Sequence, residues 1–131
     1  MYVVNGSPIR SFKDLEVWQV AMTLAEACYK TTAKFPRDEI YGMTAQIRRS
    51  AVSVAANIAE GYGRETTGSF VQFLRVAQGS IKELETHLLL AGRVQLSKVE
   101  EVTPLLGQCE RVSKMLRNLI RSLERGQSTE P

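Results

Sequence analysis

Apolar residues recur at steps of three and four in four stretches of this chain, and no stretch alternates apolar with polar. That period belongs to helices, not strands. Punctuation separates the stretches: Lys34-Phe35-Pro36 after the first, Gly61-Tyr62-Gly63 after the second, Gly92 near the end of the third, and Gly126 after the fourth. The first stretch spans about 14–32 and carries two apolar rows. One holds Leu15, Trp18, Met22, Ala25 and Tyr29; beside it lie Val17, Ala21, Leu24 and Cys28. A bundle core needs one stripe, so the second row predicts a further partner for this helix. The second stretch spans about 44–60, with Ile47, Ala51, Val54 and Ile58 as its seam and Gly61 as a left-handed stop just past its end.

The third stretch, about 67–91, keeps an unbroken 4-3 spacing through Phe70, Leu74, Ala77, Ile81, Leu84, Leu88 and Ala91, the seam of a long coiled-coil-like helix. Gly79 lies opposite that seam. Either a close backbone approach from another helix or simple tolerance of an exposed glycine accounts for it. The fourth stretch ends near Arg125 and repeats the spacing through Leu105, Cys109, Val112, Leu116, Leu119 and Leu123. Its start has two candidates: a capping box at Ser97 and Glu100, or Thr103 with Pro104 at the first helical position. A kink or a short first turn is expected before Pro104. Four amphipathic helices with short connections predict an all-α, antiparallel up-down four-helix bundle. The domain is expected over 1–126, with 127–131 as a frayed tail.

The second helix is unusual in its side chains. Val52, Ala55 and Ala59 form a narrow apolar strip beside the seam, headed by Arg48. Gln46, Arg49, Ser53, Asn57 and Glu60 form a polar strip, which Arg64 would extend. Small residues let helix backbones approach closely, so the apolar strip predicts a tight neighbour in this chain or another. The polar strip reads as an interhelical hydrogen-bond and ion-pair network, as a phosphate contact through Arg48, Arg49 or Arg64, or as solvated surface.

Composition narrows the class. Of 131 residues, 44% are hydrophobic and 24% charged, as in globular proteins. The first ten residues lack the apolar core of a signal peptide, and the nearly uncharged run 50–59 is too short to span a bilayer. A cytoplasmic protein without membrane attachment is expected. Net charge is +3, and the pI of about 9.0 permits nucleic acid without demanding it. Cys28 and Cys109 fall on apolar faces and read as small buried hydrophobes.

Little here carries catalytic or metal chemistry. The lone His87 has Leu84, not Glu, three residues before it, so no di-iron motif exists; Glu83 is placed for a surface ion pair with it. Gly61-Tyr62-Gly63-Arg64 lacks the ending and preceding strand of a phosphate loop. No nucleophile has a base beside it. No enzyme, metal or cofactor is expected. The strongest charge signal lies on the fourth helix, where Arg111, Lys114, Arg117, Arg121 and Arg125 share an arc of roughly 120° at 100° per residue. No acidic residue falls between Arg111 and Leu123. The arc is a solvated outer face or a phosphate-binding one.

The stretches "DLEVWQVA" (14–21), "FPRDEIYGMTAQIRRSAVSVAANIAEGYGR" (35–64) and "FVQFLRVAQGSIKELETHLLLA" (70–91) resemble a bacterial four-helix-bundle family. Its founding members are encoded in intervening sequences of large-subunit ribosomal RNA genes, and it includes the accessory variability determinants of diversity-generating retroelements. The family's middle motif maps onto Gln46, Arg48, Arg49, Ala56, Asn57, Glu60 and Gly61. The resemblance implies a ring-like homopentamer and, from the retroelement branch, binding of nucleic acid and of a reverse transcriptase. The combined expectation is a non-enzymatic homo-oligomer that binds RNA or DNA, an adaptor for a nucleic-acid-processing partner. The rival is a structural or protein-interaction oligomer with no nucleic-acid role.

Overall fold

Four helices build the molecule: α1 (Glu16–Thr32), α2 (Met43–Tyr62), α3 (Thr67–Arg93) and α4 (Val99–Gln127). The computed structural model of the protein describes residues 2–4 and 6–127. The expected tail therefore lies outside the described residues, save Gln127, which ends α4. α1 packs on α2 and α4, and α3 packs on the same two. The diagonal pairs, α1/α3 and α2/α4, make no close backbone contact among the described residues. The helices thus stand at the corners of a square, each antiparallel to the next in sequence, around one apolar core.

The predicted seam of α3 is buried at every position, from Phe70 to Ala91. So is that of α2. In α4 the seam departs from strict 4-3 spacing: Ile120, not Leu119, continues from Leu116 into the core. Seven-residue repeats drift around a straight helix, and a 4-4 step corrects the drift. In α1 the division between the two rows is not clean. Val17, Ala21, Leu24 and Cys28 fill the core together with Leu15 and Ala25 of the first row, while Trp18 is half-buried and Met22 and Tyr29 face outward.

Gly61 is not a stop. It lies inside α2, which runs to Tyr62, and its φ is not positive. A β-carbon there would meet the Phe73 Cβ at 2.7 Å and the Phe70 ring at 3.1 Å. Its role is close approach of α2 to α3. Gly79, by contrast, has nothing within 4 Å of where its β-carbon would stand.

α4 begins at Val99, earlier than Thr103-Pro104 allows. Lys98 precedes its first turn: the Lys98 carbonyl accepts from the Val102 N–H at 3.1 Å, and the Glu101 carboxylate accepts from the Lys98 N–H at 3.3 Å. The carboxylate that reaches back to the N-cap is thus Glu101, not Glu100, and with Lys98 rather than Ser97 at the cap the expected reciprocal box is only half made. Pro104 lies within the helix, where its missing N–H leaves the Glu100 carbonyl without the usual bond. The α3–α4 turn is closed by Leu96 N–H donating to the Ala91 carbonyl (2.9 Å) and Gln95 N–H donating to that of Gly92 (3.2 Å). This is a Schellman ending with Gln95 at φ 65°, where glycine is usual.

The N-terminal segment supplies an element the periodicity did not predict. β1 (Val3–Val4) pairs with β2 (Ser7–Pro8) in a hairpin, Val4 opposite Ser7, with Gly6 at φ 79°. Tyr2 places its ring 5.4 Å from that of Phe70, and the Tyr62 hydroxyl donates to the Ile9 carbonyl at 3.0 Å. The segment is thereby strapped across the α2–α3 end of the bundle.

Candidate functional site

The outward row of α1 and the thin strip of α2 converge. Trp18, Met22 and Tyr29 on one helix and Val52, Ala55 and Ala59 on the other line an apolar groove of about 520 Å³. Its floor is buried, with Ala25 at 7% exposure and Ala55 at 3%, while Val52 on its wall is 44% exposed. Small side chains on α2 make the groove: Val52, Ala55 and Ala59 are too short to fill the space between the Trp18 and Tyr29 rings.

Arg48 closes one end of it. Its Nε donates to Thr32 Oγ1 at 2.9 Å, its Nη2 lies 3.4 Å from the Tyr29 carbonyl, and its guanidinium stacks 4.4 Å from the Tyr29 ring centroid. Thr32 in turn donates to the Cys28 carbonyl at 2.7 Å. Arg48 thus neutralises the carbonyl end of α1. A cation held by a carbonyl, a hydroxyl and a ring is a tie between helices.

The polar strip of α2 runs from the outer face toward α3 and is mostly self-contained; Arg49, at its outer edge, also borders Tyr29 and Val52. Asn57 Nδ2 donates to the Ser53 carbonyl (2.8 Å) and hydroxyl (3.0 Å), and Arg49 donates to Gln46 Oε1 at 3.3 Å. Glu60 pairs with Arg64 at 2.9 Å, and the Arg64 guanidinium sits 4.6 Å from the Phe73 ring centroid. Within the strip, the Ser53–Ser80 hydroxyl pair at 2.8 Å makes the hydrogen bond across to α3. The expected Glu83–His87 pair does not form; His87 Nε2 is buried and has no hydrogen-bond partner in the structure.

The basic arc of α4 is fully displayed. Arg111, Lys114, Arg117, Arg121 and Arg125 are all exposed. Arg111 lies 3.6 Å from Glu16, an exposed pair of little energetic weight. Lys114, Arg117 and Arg121 have no ion pair or hydrogen bond among the described residues. The nearby Glu124 is engaged with Arg75 at 2.9 Å. At 1.5 Å per residue the arc extends about 21 Å. Because α2 and α4 stand on a diagonal, the arc points away from Arg48, Arg49 and Arg64. The eight candidate cations thus form two separate groups.

The thiols take no part in either surface. Cys28 and Cys109 are free and buried. Burial pushes each up to about 12, with each other's company and Glu85 adding to the rise at Cys109; both are protonated and inert at neutral pH. At the other end of α4, hydrogen bonds from Lys34 and the Lys98 N–H hold the Glu101 carboxyl below its ordinary range. Among the described residues no cluster of three metal-ligating side chains occurs, and no helix is long and apolar enough to cross a membrane.

Antiparallel helices around one core, with a groove on the α1/α2 face and a cationic face on α4, define a four-helix-bundle protein. The chain belongs to the 23S rRNA-intervening sequence protein family, whose model matches residues 13–118. It is similar in fold to a protein of unknown function from the S23 ribosomal protein family of Bacteroides thetaiotaomicron. The two share 24% identity and a TM-score of 0.72, over 79% of this chain and 97% of that one. No curated protein matches the chain.

Proposed function

We propose that the protein is a non-enzymatic, cytoplasmic homo-oligomer that binds nucleic acid, RNA or DNA, through the outer face of α4. The observation that carries this reading is the row Lys114, Arg117 and Arg121: exposed, unpaired among the described residues, and spaced one turn apart. Cations left without carboxylates on a mildly basic chain suit a phosphate backbone. Kinship with proteins named for intervening sequences of 23S rRNA supports the choice of ligand. Five subunits, the number the resemblance implies, would bring five times the single-chain +3, or +15. A role as adaptor for a reverse transcriptase belongs to the retroelement branch of that resemblance, and a neighbouring reverse-transcriptase gene would support it.

The test is binding of structured RNA and duplex DNA across a salt series, with heparin as competitor. The logarithm of the binding constant should fall by about 0.9 for each duplex phosphate neutralised per tenfold rise in salt. Arg117→Glu with Arg121→Glu should weaken binding and flatten that slope while helicity and oligomer size stay unchanged. Parental binding by the double variant would remove α4 as the site.

The apolar groove favours a second reading, a protein-interaction oligomer with no nucleic-acid role. That reading gains if no nucleic acid binds while Ala55→Leu, which overpacks the groove floor at a cost of about 1–3 kcal/mol, lowers stability or disrupts assembly.

A further inference from the structure

We infer that the α1/α2 groove receives the outer ridge of α3 from a second copy of this chain, in a head-to-tail contact. The inference rests on the homo-oligomeric reading and deepens it by naming the two surfaces.

The ridge is visible in the exposures. Val76 and Leu90 on α3 and Val94 at its C-cap are 52%, 44% and 54% exposed, an unusual outlay of apolar surface along one helix axis. They fall with Gly79 and Glu83 on one stripe at steps of three, four and seven. Phe73 and Ser80, which flank Val76 in that periodicity, both touch α2. The stripe therefore runs along the outer margin of the α2/α3 side. The groove opens on the adjoining α1/α2 side. Two unlike patches cannot pair isologously, so each copy must engage two neighbours, and such contacts close into a ring when the angle permits. Adjoining sides of a square bundle lie roughly 90° apart, near the about 108° that a five-membered ring needs.

The registers match as well. Within a chain, Ser53 is level with Ser80 and Gly61 with Phe73. Arg48 is level with Tyr29 to Thr32 on α1. In a ring whose axis runs along the helices, every copy keeps the same heights. The ridge of a neighbour then places Val76 beside the Trp18 end of the groove and Gly79 beside Val52 and Ala55. Glu83 comes level with Lys30 and Arg49. Those three charges are exposed, and none has an ion pair among the described residues. Gly79 gains a reason for lacking a side chain: its surroundings are empty in one subunit, and a β-carbon there would hold the two backbones apart.

Disulfide mapping tests the pairing, since both native thiols are buried. Chains carrying Val52→Cys and chains carrying Gly79→Cys, mixed after dissociation and mildly oxidised, should give a covalent dimer that neither gives alone. One chain with both changes should give a ladder of covalent species up to the full ring. Glu83→Lys should weaken assembly at least tenfold, and Arg49→Glu with Lys30→Glu should restore it. Crosslinking of either single variant with itself would overturn the head-to-tail pairing. So would an intact oligomer with no 52–79 crosslink. A monomer at tens of micromolar in the parent chain would instead defeat the homo-oligomeric reading.

Discussion

Gly61 and Phe73 set the distance between α2 and α3: a β-carbon at Gly61 would stand 2.7 Å from the Cβ of Phe73. That contact point is backbone-anchored on both sides, so neither helix yields without shifting.

Gly61→Ala should therefore destabilise the protein, although alanine is the better helix former by about 1 kcal/mol. We expect a net loss of about 1–3 kcal/mol from overpacking, read as a lower midpoint in urea with an unchanged slope. A gain in stability would mean that the α2–α3 spacing relaxes freely.

Arg48→Ala should cost about 1–2 kcal/mol, because it removes the hydrogen bond to Thr32 and the stack on Tyr29. It should leave the salt dependence of nucleic-acid binding unchanged, since this cation is already engaged. A binding assay beside thermal denaturation separates the two effects.

Gln95→Gly should raise stability by about 0.5–1 kcal/mol. Gln95 holds φ 65° at the end of α3, a conformation that costs a side-chain-bearing residue roughly 1–2 kcal/mol, and glycine returns part of this as chain entropy. The check is the thermal midpoint. The N–H groups of Gln95 and Leu96 should retain their protection from exchange.

The thiols predict loss of stability at high pH. Folded, Cys28 and Cys109 titrate near 12; unfolded, near the ordinary 9. Between those values the unfolded chain has released protons that the folded chain retains. Stability should fall by about 1.4 kcal/mol per pH unit for each thiol, starting above pH 9. Cys28→Ala with Cys109→Ala should flatten this alkaline slope, whatever it does to stability at pH 7. An unchanged slope would place the alkaline sensitivity elsewhere.

The helices were legible in the sequence because burial in a bundle repeats with the helical turn; α3 shows this at all seven seam positions. What periodicity could not decide was which of the two α1 rows faced inward. Trp18 and Tyr29 are the larger side chains, yet Val17, Leu24 and Cys28 occupy the centre, and the ring the core does take comes from α3, at Phe70. Gly61 misled for a related reason: a glycine at a helix end and one at a helix crossing look alike until the partner helix is placed. The hairpin had a signal in Asn5-Gly6 beside Val3-Val4, too short to register as alternation. The basic arc followed from phase alone. The engagement of Arg48 with Tyr29 and Thr32 depends on the α1–α2 packing, which no local pattern encodes.

The diagonal placement of α2 and α4 has an evolutionary corollary. Side chains that share no neighbours contribute to stability almost independently. Substitutions on the cationic face of α4 should therefore combine additively with those on the α2 wall of the groove, at Val52, Ala55 and Ala59. A lineage can retune its surface charge for a new ligand without renegotiating helix packing, and can redesign its groove without forfeiting that charge. The bundle is modular by geometry, with one corner free to diverge while the opposite corner holds still.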